Sequence, residues 1–176
     1  MLRICMIPVF VVFALIQEQW AQYVALLIYI LACFTDLLDG KIARKHNLVT
    51  DFGKFADPIA DKLLVMAALI ILVESHRMPS WVCIVMLARE FIISGFRLVA
   101  AGSGKVIAAG QLGKLKTVFQ MASTIALMLL VPVAGAPLLG SFGVILANIL
   151  TYIAAILTIV SGAEYIIKNF SCISNM

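Results

Sequence analysis

Residues 36–61 read Asp36-Leu-Leu-Asp39-Gly40-Lys-Ile-Ala43-Arg44, then eight residues, then Gly53-Lys-Phe-Ala-Asp57-Pro58-Ile-Ala-Asp61. This polar island lies between two apolar runs, Ala21 to about Leu38 and Pro58 to Val73. Carboxylates spaced three and four residues apart at the edge of such runs are expensive where the surroundings are lipid, so their presence points to a function. What the surroundings are follows from the rest of the chain.

The 176 residues are 64% hydrophobic and 12% charged, against roughly 25% charged in an ordinary soluble domain. There is too little polar surface to cover a water-soluble globule, and the reading is an all-α integral membrane protein. At roughly 20 residues per crossing, breaks in hydropathy divide residues 1–176 into one domain of six transmembrane helices. They are expected at about 4–20, 21–40, 57–74, 80–100, 113–132 and 141–168. Pro58 is expected in the first turn of the third, where its missing N–H costs nothing. Met1-Leu-Arg3 leads into apolar Ile4–Ile16 without a small-residue cleavage site, so this segment reads as a retained first span. Cys5, Cys33, Cys83 and Cys172 contain no Cys-x-x-Cys pair and predict neither a disulfide framework nor a zinc site.

Basic residues orient the bundle. Arg3, Lys41, Arg44, Lys45, Lys54, Arg97, Lys105, Lys114, Lys116 and Lys168 fall at or near one set of helix ends, whereas the opposite turns hold little beyond Arg77. The positive-inside bias makes the first set cytoplasmic, with both termini there. The same excess explains the formal charge of +4; membrane lipid with acidic headgroups is a sufficient partner, and without aromatic-basic interleaving no nucleic acid is expected.

The four aspartates thereby acquire an address. Asp36 and Asp39 close the second helix on one face, about 4.5 Å apart along the axis, and Asp57 and Asp61 repeat the device on the third. A short loop makes these helices antiparallel neighbours and gathers the carboxylates. Hard oxygen ligands in that number suit Mg2+ or Mn2+, two ions if some carboxylates bridge. Gly40, Ala43 and Gly53 clear space for a bulky anion such as a diphosphate; Arg44 offers a bidentate clamp and Thr50 a hydroxyl. The plainer alternative makes the glycines packing devices and Arg44-Lys45 a membrane anchor.

The eight fixed positions of Asp-x-x-Asp-Gly-x-x-Ala-Arg, eight residues, Gly-x-x-x-Asp-x-x-x-Asp resemble the signature of the CDP-alcohol phosphatidyltransferases. That resemblance implies a six-helix membrane enzyme, commonly a homodimer, which displaces CMP from CDP-diacylglycerol with an alcohol. Asp36, Asp39, Asp57 and Asp61 would be the metal ligands and Asp61 also the general base. Asp39, Gly40, Ala43, Arg44, Thr50 and Gly53 would line the nucleotide site.

The fourth helix bears on the alcohol. In Ala88-Arg89-Glu90-Phe91-Ile-Ile-Ser-Gly95-Phe96-Arg97 the two arginines stand about 12 Å apart along a helix axis, within a quarter turn. Glu90 and Arg97, seven apart, share a face and are candidates to pair. Arginines at a membrane boundary need an anion, so Arg89 and Arg97, closed over by Lys114 and Lys116, predict a pocket for a phosphate on the acceptor. The alternative is a structural network with lysines that merely snorkel. Arg-Glu-Phe-x-x-x-Gly-x-Arg, Leu112-Gly113-Lys114-x-Lys116-Thr117 and Asn47-Leu-Val-Thr50 are similar to the bacterial phosphatidylglycerophosphate synthase branch of the family, whose acceptor is glycerol 3-phosphate. That likeness implies a multi-pass protein of the bacterial inner membrane with its site facing the cytoplasm. The branch usually carries Asn-Pro-Asn-x-x-Thr before the position of Arg3; this chain begins after it, which predicts a truncated or misassigned start.

Rival readings are the same chemistry on serine, inositol phosphate or phosphatidylglycerol, and a divalent-cation transporter. Transporters bind near the midplane at broken helices, unlike these aspartates. Gly102-Ser-Gly104-Lys105 lacks the first glycine and the final Ser or Thr of a phosphate loop, having Val99 and Val106 there. His46 and His76 are isolated.

Overall fold

The apolar runs become helices because the backbone of an apolar segment must satisfy its own N–H and C=O groups. In the computed structural model they are α1 (Leu2–Leu15), α2 (Gln19–His46), α3 (Asp51–Glu74), α4 (Ser80–Gly102), α5 (Gln111–Leu130) and α6 (Gly140–Asn169). The structure describes residues 2–46, 51–102, 110–133 and 137–169, and their side chains except at 2–4, 35–46, 51–61 and 101. No strand occurs among the described residues, as an all-α chain requires.

Three helix ends differ from those expected. The first helix stops at Leu15 rather than at 20, and a turn of Ile16, Gln17 and Glu18 precedes α2. Gln22 explains the stop: its amide donates to the carbonyls of Ala14 at 2.9 Å and Ile16 at 2.8 Å, satisfying acceptors that the ended helix leaves open. The second helix continues past Gly40 to His46. A glycine inside a helix costs about 1 kcal/mol, too little to stop a run that contains Lys41, Ala43, Arg44 and Lys45. The third helix begins at Asp51 rather than at 57, so Pro58 is interior and not in a first turn. Like Pro8 in α1, it removes one backbone donor, and the flanking turns carry the helix through. The ends of α4, α5 and α6 lie within two residues of those expected.

Small residues set the packing. α1 packs on α2 and α3, α4 on α3 and α6, and α5 on α2, α3 and α6. On α6 the buried face is Gly143, Ala147, Thr151, Ala154, Ala155, Thr158, Ser161, Gly162 and Tyr165, whereas Phe142, Ile145, Ile149, Ile156 and Ile159 are exposed. Small inside and large apolar outside is the pattern of a helix whose solvent is lipid tails. Buried Thr151 and Thr158 return their hydroxyls to the carbonyls of Ala147 (2.8 Å) and Ala154 (2.7 Å), so they bring no unpaired donor into the interface. In the other half of the molecule Phe10 of α1 packs on Tyr29 of α2 with ring centroids 5.8 Å apart, above the buried alanines 21, 25 and 32.

Among the described residues α6 is the one helix that passes as a membrane span by length and composition; Cys5–Leu15 and Gln19–Phe34 are shorter apolar stretches. Its 30 residues extend about 45 Å at 1.5 Å per residue, more than the ~30 Å hydrocarbon layer requires.

The turn between α3 and α4 ties three parts of the chain together. His76 takes a left-handed conformation (φ 56°), and the N–H of Arg77 donates to Leu72 O at 2.9 Å while that of His76 donates to Val73 O at 3.0 Å, a Schellman closure of α3. The buried Arg77 guanidinium then donates to Ser75 Oγ (2.9 Å), Gln22 Oε1 (3.0 Å) and Val131 O (3.3 Å). Burial pushes its pKa down to about 10, so it remains a cation at neutral pH.

Candidate active site

Asp36, Asp39, Gly40, Ala43 and Arg44 lie in the C-terminal half of α2, and Gly53, Asp57 and Asp61 in the N-terminal half of α3. Both halves are helical through these positions, so each pair of aspartates is about one turn apart along its own axis. Their side chains lie outside the described residues, as does Thr50 altogether. Among the described residues no three His, Cys, Asp or Glu side chains cluster as a metal site would require; the carboxylates of α2 and α3 are the donor set the sequence offers.

The basic residues of α4 and α5 expected at the site lie among the described residues. α4 presents Arg89, Glu90 and Arg97 between the start of α5 and the end of α6. Lys116 is completely buried and its ammonium donates to Glu90 Oε1, while Arg89 Nη1 lies 3.8 Å from the same oxygen. The expected partnership of Glu90 with Arg97 does not form. Glu90 turns instead to Lys116, whose ammonium, denied water, has the greater need of a carboxylate. Arg97 is exposed; its Nε donates to Tyr165 Oη at 3.3 Å, and its guanidinium carbon lies 5.5 Å from the centre of the Tyr165 ring, a cation–π contact. Arg89 Nη2 donates to Ser161 Oγ at 3.3 Å. Lys114 is exposed, one turn into α5.

Beside Glu90 a groove opens between α3, α4 and α5, lined by Lys62, Glu90, Thr117 and Gln120 together with Val65, Met66, Leu87 and Met121. Its mixed lining suits an amphiphile better than a fully polar molecule.

A family model described as CDP-alcohol phosphatidyltransferase matches residues 1–160, which include the α2 and α3 aspartates and the α4 arginines. The chain belongs to the CDP-alcohol phosphatidyltransferase family. Among its relatives, the CDP-diacylglycerol–glycerol-3-phosphate 3-phosphatidyltransferase of Bacillus subtilis is 44% identical over 184 residues, covering 97% of this chain and 92% of that protein. Proteins of the same name from Rickettsia typhi and Haemophilus influenzae are 41% and 38% identical, each over 93% of this chain and over 89% and 86% of their own lengths.

Within this CDP-alcohol phosphatidyltransferase, the structure brings Arg89, Glu90 and Lys116 together and sets Arg97 against Tyr165. Sequence reasoning gave no role to Ser161, Gly162 or Tyr165, all on α6. The available signal was faint: a serine, a glycine and a tyrosine within one turn of a largely apolar helix.

Proposed function

We propose that this chain transfers the phosphatidyl group of CDP-diacylglycerol to glycerol 3-phosphate, releasing CMP and phosphatidylglycerophosphate. The observation that carries the reading is similarity over nearly the whole chain to proteins named for that reaction, on a chain holding every fixed position of the family's signature.

Four carboxylates on two helical segments are a fitting donor set for two divalent cations, since hard oxygen ligands match Mg2+ and Mn2+. Bound by Asp36, Asp39, Asp57 and Asp61, such ions would supply positive charge to the diphosphate and to the departing CMP. Asp39, Gly40, Ala43, Arg44, Thr50 and Gly53 form the nucleotide side of the site: small residues admit the diphosphate and Arg44 grips it through a planar fork. Asp61 takes the proton of the attacking glycerol hydroxyl. The new phosphorus–oxygen bond forms to that hydroxyl, and the bond from the same phosphorus to the bridging oxygen breaks, CMP leaving with that oxygen.

Arg89 and Arg97, with Lys114, hold the phosphate of the acceptor, and the completely buried Lys116 acts on it through charge alone. Lys116 contributes its charge while Glu90 keeps its ammonium in place. Six membrane spans with both termini cytoplasmic, in one domain and a homodimer in the bacterial inner membrane, put the diacylglycerol tails in lipid and the reacting groups at the cytoplasmic face. The large apolar side chains exposed along α6 and α4 support that setting.

Purified protein given Mg2+ or Mn2+, CDP-diacylglycerol and glycerol 3-phosphate should release CMP and form phosphatidylglycerophosphate. Release with serine or an inositol phosphate, but none with glycerol 3-phosphate, would reassign the acceptor. No release with any alcohol would refute the reaction.

A further inference from the structure

Two arginines that recognise one phosphate must be held still, because an arginine side chain gives up rotamer freedom when it is fixed and that loss weakens binding unless the free protein has already taken it. α6, whose one charge within this turn, Glu164, is paired with Lys168, does the holding. Resting on the reading of Arg89 and Arg97 as acceptor-phosphate ligands, we propose that Ser161, Gly162 and Tyr165 are positioning residues. One turn of α6 aims both guanidiniums of α4.

Arg89 sits in a slot. A Cβ on Gly162 would stand 3.2 Å from Arg89 Cγ, and a Cβ on Gly113, across the slot on α5, 3.3 Å from Arg89 Nη2. Both approaches are tighter than ordinary van der Waals contact, so the two glycines leave just the width that the side chain fills. Ser161 Oγ sets the depth. Its own hydrogen goes to Thr158 O at 3.2 Å, which turns a lone pair toward Arg89 Nη2 at 3.3 Å. Arg89 Nε is buried without a partner among the described residues. The guanidinium is therefore oriented before an anion arrives.

Arg97 is held one turn further along α6, by a different contact. Tyr165 is 7% exposed and packs edge-on against Phe96, with ring centroids 6.3 Å apart. Its hydroxyl accepts from Arg97 Nε and its ring lies beneath the guanidinium. With Nε engaged, the two terminal nitrogens remain as a planar fork, the geometry that grips a phosphate with two parallel hydrogen bonds. Ser161, Gly162 and Tyr165 follow the i, i+1, i+4 spacing of a single helical turn, so a displacement of that turn moves both arginines together.

The test is steady-state CMP release in detergent micelles with Mg2+, measuring KM for each substrate and kcat in parallel with the thermal midpoint. Tyr165→Phe and Ser161→Ala each remove one hydrogen bond and should raise the KM for glycerol 3-phosphate about three- to tenfold, with the KM for CDP-diacylglycerol and the thermal midpoint unchanged. Ser161→Thr keeps the hydroxyl and should restore the lower KM; Gly162→Ala, which crowds Arg89 Cγ, should raise it. A merely structural role would lower kcat and the thermal midpoint together and leave both KM values alone, and that result would overturn the proposal. So would a larger change for CDP-diacylglycerol than for the acceptor. Arg89→Lys and Arg97→Lys are the controls: if they leave the acceptor KM unchanged, the acceptor pocket itself is wrong, whereas if they raise it and the α6 variants do not, only the positioning role fails.

Discussion

The Glu90–Lys116 pair offers a test whose magnitude follows from burial. Lys116 has no exposed side-chain surface and Glu90 keeps 27% of its own, so the two partners differ in what they lose when the other is removed. Glu90→Gln leaves an ammonium sealed from water and next to Arg89. Breaking a buried pair in this way costs about 3–5 kcal/mol, and the partial exposure of Glu90 puts the expected loss near the lower figure. For a chain of this size 1 kcal/mol corresponds to about 2–4 °C, so the thermal midpoint should fall by about 6–12 °C. Lys116→Met removes the trapped charge instead; Glu90 can then draw on water, and the loss should be about 1–2 kcal/mol. In Glu90→Gln/Lys116→Met no charge of the pair remains to be buried, and the double variant should be more stable than Glu90→Gln alone. Unfolding followed by the fluorescence of Trp20 and Trp81 in one detergent measures all four proteins, and the cycle should close with a coupling of about 2 kcal/mol or more. Additive losses, leaving the double variant the least stable of the four, would refute the view that Lys116 depends on Glu90.

Arg77→Lys should lower the thermal midpoint by several degrees, because an ammonium cannot reach Ser75, Gln22 and Val131 from one plane; unchanged unfolding would show that the fork is dispensable. Folded Arg77 loses its proton from about pH 10, while the unfolded arginine still holds its own, so this group adds stability only as pH rises beyond 10. Between pH 6 and 9 the gap between wild type and Arg77→Met, which has no group to titrate, should therefore stay constant, and thermal scans across that range check it. Gly143→Ala would put a Cβ 2.1 Å from the Leu138 carbonyl oxygen and should cost about 1–3 kcal/mol, read as a lower midpoint with the acceptor KM intact. Asp61→Asn should abolish CMP release while retaining CDP-diacylglycerol binding by equilibrium dialysis into micelles; retained turnover would remove it as the base. Chelation of divalent ions should stop turnover reversibly, and turnover that persists in excess chelator would remove the metal from the reaction.

Helix number and order were legible because hydropathy breaks at Gln17–Trp20, Glu74–Pro79 and Pro132–Pro137 are strong. Helix ends were not. Gly40 and Pro58 read as boundaries in a scale of local preference, yet α2 and α3 run through both, because tertiary context overrides local preference. The stop of α1 at Leu15 depends on Gln22, whose side chain reaches back across a turn; such a contact has no local signature. On α4, spacing alone put Glu90 and Arg97 on one face, but which basic group Glu90 takes was decided by the complete burial of Lys116, a property of α5 against α4. The eight signature positions carried the family in full, since that chemistry is written in residue types at fixed spacing. The contribution of α6 was invisible for the opposite reason: serine, glycine and tyrosine act there through shape and a single hydroxyl each, and any apolar helix contains such residues.

The Arg77 knot has a consequence for how the chain is made. Its bonds to Gln22 and Val131 span 55 and 54 residues, one backward to a segment already synthesised and one forward to a segment not yet made. During synthesis the guanidinium meets Gln22 and Ser75 first and lacks its third acceptor until the end of α5 arrives. A chain that ended before Val131 would therefore lack one of the three acceptors that this guanidinium uses in the finished bundle.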